Sequence, residues 1–228
     1  MKSISKHERR FWVATLLATT AAFLYVHKGR PKHLKWGATC EEAKEYLQGD
    51  ELIPGAAVCA THAVTIKASP KDVWPWLAQI GQTKGGFYSY ALLENLAGCK
   101  MPNVRDVHPE WQSLKIGDEV RFHPDFPPAP IVMLKAGEHM VIGADLTGPN
   151  ATSWAFVVRD LGHGLTRLIV RLRGRPHHGI ARLSDLLVYE PAHFVMERKM
   201  LLTIKKLAEQ TAARSEETAE AGMMSSRA

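Results

Sequence analysis

Five candidate strands crowd into residues 119–173 and one long amphipathic segment follows them, an order that leaves few ways to build a core. The strands read as Glu119 to Phe122, Ile131 to Leu134, His139 to Ala144, Thr152 to Arg159 and Leu165 to Arg173. Four prolines between Pro124 and Pro130 enforce a loop, and Gly162-His163-Gly164 offers a hairpin turn between the last two strands. From Ile180 to about Gln210 the pattern becomes helical. Met196, Met200, Ile204 and Leu207 share one face of that helix, with Arg198, Lys199, Lys205 and Lys206 largely on another, and Pro191 is expected to start or kink it. An antiparallel sheet with one apolar face must bury it, and the terminal helix is the element left to cover it. The predicted fold class is therefore α+β, a curved antiparallel sheet wrapped around a long C-terminal helix.

Upstream elements fit the same layout. Thr39-x-x-Glu42 is a capping-box pattern that predicts a short helix to about Leu47, before turn signals at Gly49, Pro54 and Gly55. Thr61 to Lys67 alternates as a strand. Ser69-Pro70 opens a helix whose stripe is Val73, Trp76, Leu77 and Ile80, and Ser89 is placed to cap a second short helix, Tyr90 to Ala97. Residues 211–228, rich in Ser, Ala and Glu, read as a disordered tail.

The formal charge of +6 invites a nucleic-acid reading until it is located. Residues 1–35 hold eight Lys and Arg against Glu8 alone, a net of +7, which leaves −1 for the rest of the chain. The body lacks the basic footprint of a nucleic-acid-binding domain. The basic residues instead flank an uncharged run, Phe11 to Val26, with Trp12 and Tyr25 near its ends. A single N-terminal transmembrane helix is the expectation for this stretch, although 16 residues span only about 24 Å against a hydrocarbon core of roughly 30 Å. A cleaved signal peptide, with small residues at Thr20-Ala21-Ala22, is the competing reading. The expected organisation is a basic, membrane-anchored segment over 1–35, a domain over 36–210, and the tail.

Several strings resemble members of the SRPBCC superfamily, the START-like, polyketide cyclase/dehydrase and lipid transport-like helix-grip proteins, and in particular a bacterial subgroup with an N-terminal membrane segment. They include Trp36-Gly37-Ala38-Thr39, Gly49-Asp50-Glu51-Leu52, Val73-Trp74-Pro75-Trp76-Leu77, Gly86-Phe87-Tyr88-Ser89-Tyr90 and Leu93-Glu94-Asn95. Pro109-Glu110-Trp111-Gln112, Gly117-Asp118, Ser153-Trp154-Ala155-Phe156 and Glu190-Pro191 with Phe194 to Arg198 complete the set. Gln48 departs from it, standing where such sequences usually carry proline. The resemblance implies a helix-grip fold and an apolar ligand held between sheet and helix. It carries no catalytic residue onto this chain, and fold alone does not decide chemistry.

No motif supplies that chemistry either. The 11 histidines and three cysteines form no metal-ligand spacing, and no phosphate loop, dinucleotide fingerprint or nucleophile elbow is present, so no metal and no cofactor is expected. Cavity candidates are Tyr88, Tyr90, Glu94, Asn95, Trp154, Phe156, Met196 and Met200. Each also has a plain structural role: aromatics at a helix entry wedge it, and strand aromatics and helix methionines fill cores. Arg167, Arg171, Arg173 and Arg175 share one parity, predicting a row on the outer sheet face that is either solvated or docked on anionic lipid. The leading expectation is a membrane-anchored, non-catalytic binder of a hydrophobic small molecule or lipid, on an unassigned side of the membrane and without nucleic acid. The alternatives are a cyclase-, dehydratase- or hydrolase-like enzyme using Glu94, Tyr88 or Tyr90, and an accessory subunit of a membrane protein complex.

Overall fold

A computed structural model describes residues 5–96 and 98–225. Its centre is a curved, six-stranded antiparallel sheet in the order β1-β6-β5-β4-β3-β2. The strands are β1 (Val58–Ile66), β2 (Glu119–Val120), β3 (Ala129–Lys135), β4 (His139–Ala144), β5 (Thr152–Gly162) and β6 (Leu165–Gly174). Two helices, α3 (Pro70–Ala78) and α4 (Ala91–Leu96), are inserted after β1. They follow α1 (Lys6–Leu24) and α2 (Arg30–His33), and the chain ends with α5 (Gly179–Ser184) and α6 (Glu190–Ser225). This is the helix-grip architecture: α6 lies in the concavity of the sheet.

Strand periodicity explains the core. Val64, Ile66, Leu168, Val170, Phe156, Val158, Met140 and Ile142 point inward and meet Met200, Leu201, Ile204 and Leu207 of α6 and Val73, Trp76 and Leu77 of α3. Phe156, expected as a cavity residue, is fully buried in this packed region. The β5–β6 hairpin closes through Gly162 paired with Leu165, leaving His163 and Gly164 as a two-residue loop with both φ values positive. That is the turn geometry whose twist matches a right-twisted hairpin.

The outer face is covered as well, which corrects the picture of a solvated or lipid-facing arginine row. Residues 34–53 cross it as a strap. The amide of Thr61 donates to the Leu34 carbonyl (2.8 Å) and that of Ala63 to Trp36 (3.2 Å), so the strap occupies the free edge of β1. Leu47 then packs on Ala63, Val157 and Ile169. The arginines clamp it. Arg167 binds both oxygens of Glu42 at 2.7 Å, and Arg171 donates to Asp50 (2.6 Å) and to the Glu42 and Glu45 carbonyls. Arg173 donates to the Ile53 carbonyl, while Arg175 lies beyond the strap, exposed, and donates to the Gly148 carbonyl. Gly49 turns the strap at φ +92, and a Cβ there would stand 2.8 Å from a Val141 methyl, so glycine is required whatever precedes it.

Other expectations shift in detail. The Thr39–Glu42 capping box forms, but it caps one turn rather than a helix. Ser89 does not cap α4; its hydroxyl donates to the Met196 carbonyl (3.0 Å) and ties the α4 entry to α6. Before Pro191 the chain makes a π-helical turn, Asp185–Tyr189, which gives the proline ring room where a regular helix would clash. The tail expected to be disordered continues α6 to Ser225, while 226–228 lie outside the described residues. Thr211, Ser215 and Thr218 there return their hydroxyls to carbonyls four residues back.

The N-terminal expectation of a transmembrane span is not supported: among the described residues no helix is long and apolar enough to cross a membrane. The apolar run is short, and the first turns of α1 are spent on Lys6, Glu8, Arg9 and Arg10 behind a Ser5–Glu8 capping box. None of the residues of α1 is buried. The helix continues through a π-helical turn, Tyr25–Gly29, into α2, which docks on α6. There Arg30 pairs with Glu190 (2.5 Å) and His33 stacks between Tyr25 and Phe194.

Candidate functional site

Between the sheet and α6, next to the packed core, the concavity is hollow. The cavity measures about 450 Å³. β3, β4, β5 and β6 contribute Ala129, Ile142, Ala144, Trp154 and Leu172; the α4 region contributes Phe87, Glu94, Cys99 and Met101; α6 and the turn before it contribute Tyr189, His193, Met196, Glu197 and Met200. Small alanines on the strands opposite flexible methionines on α6 leave the space open. Phe122, Pro127, Tyr189 and Ala192 are exposed as well as lining, so they mark the mouth. An aromatic wall runs inward from there: Phe122 stacks on Phe87 (5.0 Å), and both lie within 6 Å of Trp154.

Of the residues singled out from sequence, Glu94, Trp154, Met196 and Met200 line this cavity. Tyr88, Tyr90, Asn95 and Phe156 do not. Tyr88 sits behind the wall, edge-on to Trp76, with its hydroxyl over Gly85, where a Cβ would come within 2.6 Å of it. Burial pushes that hydroxyl's pKa up. Tyr90 is on the surface beneath the Lys199 ammonium. Asn95 accepts the Met101 amide (2.6 Å) and shapes the loop after α4.

The polar groups in the cavity wall belong to two clusters. Glu94 is 4% exposed, and burial raises its pKa above the usual carboxylate range. Burial and the Glu94 charge together push the neighbouring Cys99 thiol up, so it stays protonated. The second cluster was not legible in the sequence. Glu197 accepts from Trp154 Nε1 (2.9 Å), lies 2.7 Å from His62 Nδ1 and 3.5 Å from His193 Nε2. Burial alone would raise its pKa, but the two imidazoles and the indole N–H outweigh that and hold it low. His62 Nε2 in turn meets the His33 carbonyl at 2.7 Å. His62 therefore bridges Glu197 and the backbone of the segment before β1 through its two ring nitrogens. His193 lines the cavity, and burial lowers its pKa, with Glu197 opposing, so its imidazole is favoured neutral.

The lining includes no lysine or arginine among the described residues, and no group of three or more His, Cys, Asp or Glu side chains there is placed to hold a metal ion. The space suits an uncharged, mostly apolar molecule with a polar group for Glu94 or His193 to meet.

No family model matches the sequence. No curated protein matches it. Solved structures that resemble it include a hypothetical protein of Helicobacter pylori, 13% identical, covering 72% of this chain and 96% of its own, with a TM-score of 0.45. A polyketide-cyclase-like protein of Corynebacterium glutamicum is 14% identical over 75% of this chain and 96% of its own, TM-score 0.33. A norcoclaurine synthase of Thalictrum flavum is 15% identical over 67% and 94%, TM-score 0.34. At such distances the assignment rests on this chain's own topology, which is that of an α+β helix-grip domain.

Proposed function

We propose that this chain binds a hydrophobic small molecule or lipid in the cavity between the sheet and α6. The observation that carries the reading is an aromatic- and methionine-walled space of about 450 Å³ with an exposed mouth, enclosed between the sheet and α6. Its volume falls in the range of small-molecule sites, and its few polar groups converge from α4 and α6. Titration with N-phenyl-1-naphthylamine, an uncharged aromatic fluorophore, tests it. Saturable binding that quenches Trp154 is expected, and retention of binding in an Ala144→Phe variant, whose added ring fills the cavity, would overturn it.

The domain is held at a membrane by α1. Phe11, Trp12, Leu16, Leu17, Phe23 and Leu24 are each more than half exposed, with Lys6, Arg9 and Arg10 before the run and Lys28 and Lys32 after it. Apolar side chains with basic flanks suit insertion among anionic lipids. Full-length protein should float with vesicles of phosphatidylcholine and phosphatidylglycerol, and a Leu16→Glu, Leu17→Glu variant should remain in the pellet fraction. Equal flotation of the two would contradict the reading.

A further inference from the structure

We propose that the N-terminal segment is a latch on the cavity: docking of α2 on Glu190 and Phe194 holds the mouth narrow, and its release lets a bound molecule out. This inference rests on the binding reading above and adds what controls the bound molecule's escape.

Two neighbouring stripes along α6 and the turn before it set the geometry. Tyr189, His193, Met196 and Met200 recur at helical spacing and line the cavity. Glu190 and Phe194, each one residue further on, receive the N-terminal segment. A gap of about 10 Å³ beside His33 shares Leu172, Tyr189 and His193 with the cavity. These three side chains therefore face the seat of α2 on one side and the ligand space on the other.

The ties are specific. Arg30 meets Glu190 through two nitrogens, Nε to Oε2 at 2.5 Å and Nη2 to Oε1 at 3.1 Å. Glu190 is 6% exposed, and its Oε1 also takes Arg182 Nη1 of α5 at 3.3 Å. One buried carboxylate thus joins α2, α5 and the start of α6, directly after the mouth residue Tyr189. The His33 ring is stacked between Tyr25 (5.5 Å) and Phe194 (5.2 Å), and its carbonyl lies 2.7 Å from His62 Nε2. His62 Nδ1 continues to Glu197 at 2.7 Å, and so to the cavity wall.

The parts so joined have little else to hold them. No residue of α5 or of the turn Asp185–Tyr189 is buried, and Ile180 and Val188 are 88% and 64% exposed. Gly179 begins α5 at φ +60, after an irregular stretch over 175–178. On the other side, the π-helical turn Tyr25–Gly29 joins α2 to α1, none of whose residues is buried. Segments with few buried contacts are the ones that open locally. When an element docks on the outside of a cavity wall, occupancy and docking bias each other by the same factor. A molecule against Tyr189 and His193 supports the seat of α2, and docked α2 keeps those side chains against the molecule.

Release rate and amide exchange test the latch. Full-length protein loaded with N-phenyl-1-naphthylamine is diluted rapidly, and dissociation is followed by fluorescence. Arg30→Ala should release the fluorophore at least about fivefold faster than the parent, the lower end of coupling between linked sites. Lys32→Ala, exposed on the same helix, should release it at the parental rate. Equal acceleration in both would trace the effect to lost surface charge and overturn the latch. The parent alone gives a second reading, which decides the case even if Arg30→Ala fails to fold: loading should slow hydrogen exchange over residues 26–36 by at least about fivefold. A smaller change in either measurement overturns the latch and leaves the binding reading standing. Failure of the parent to bind the fluorophore at all removes the cavity reading, and the latch with it.

Discussion

Arg171 projects from the outer face of β6 yet is 2% exposed, because its Nη1 lies 2.6 Å from Asp50 Oδ2 in the strap that crosses the sheet. The same guanidinium donates to Thr61 Oγ1 and to two strap carbonyls. Removing one member of a buried pair leaves the other charged and uncompensated, at a cost of about 3–5 kcal/mol. Asp50→Ala should therefore lower stability by about that amount in urea denaturation. A loss near 0.5 kcal/mol, the scale of an exposed pair, would mean the clamp is not rigid.

The arginines also mark how far sequence reasoning reached. Their shared parity was legible, and so was the face they occupy. Their partners were not, because Glu42, Glu45 and Asp50 sit some 120 residues away in a segment whose own pattern predicts a short local helix and not a strap across the sheet. A row of like charges reads as solvent-facing until the opposite charges are placed beside it. The strands and the α6 stripe were legible for the converse reason: burial on one face of a regular element leaves a local period.

Stability should respond to pH through Glu94 in a defined direction. Its folded-state pKa is raised from 4.5, so as pH rises past that value the unfolded chain releases a proton that the native state still holds. The native state is thus penalised increasingly from about pH 4.5 upward, until Glu94 itself ionises. Glu94→Gln removes this penalty. The stability gained by the variant over the parent should grow as pH is raised past about 4.5 and level off once Glu94 ionises in the native state, followed by thermal melts; a pH-independent difference would contradict a buried, proton-holding carboxyl.

Glu197 carries the opposite sign. Its folded pKa is lowered from 4.5, so its contribution is present above that value and is lost as pH falls through the folded pKa. Acid unfolding of the parent should include this loss below about pH 4.5. Trp154→Phe, which removes one donor to the carboxylate, should move the acid transition to higher pH. An unmoved transition would mean the indole N–H does not help hold Glu197 ionised.

Neither half of the His62–Glu197 pair was legible in the sequence. His62 alternates with Val64 and Ile66 as one more inward residue of β1, and Glu197 lies within the charged stretch Glu197-Arg198-Lys199 of α6. Only the crossing of β1 and α6 brings them to 2.7 Å. Glu94 was legible as a candidate because it follows an aromatic cluster at a helix start, and Tyr88 was misplaced for the same reason. Neighbouring residues in a tight entry point to different sides, and Tyr88 takes φ +55, which turns it into the core.

Gly85 gives a sharp test of that entry. A Cβ there would lie 2.6 Å from the Tyr88 hydroxyl and 2.9 Å from the Gln79 carbonyl oxygen. Gly85→Ala should cost about 1–3 kcal/mol by overpacking and should alter ligand binding, because the displaced Tyr88 bears on the wall that carries Phe87. A neutral substitution would show the entry to be loosely packed.

The cavity is the centre of the account, and native mass spectrometry of gently purified full-length protein tests it most directly. A mass increment from a bound, uncharged apolar molecule is expected, present in the parent and absent from Ala144→Phe at equal folded fraction. A parent that carries no such molecule, and takes up no N-phenyl-1-naphthylamine when it is supplied, would contradict it.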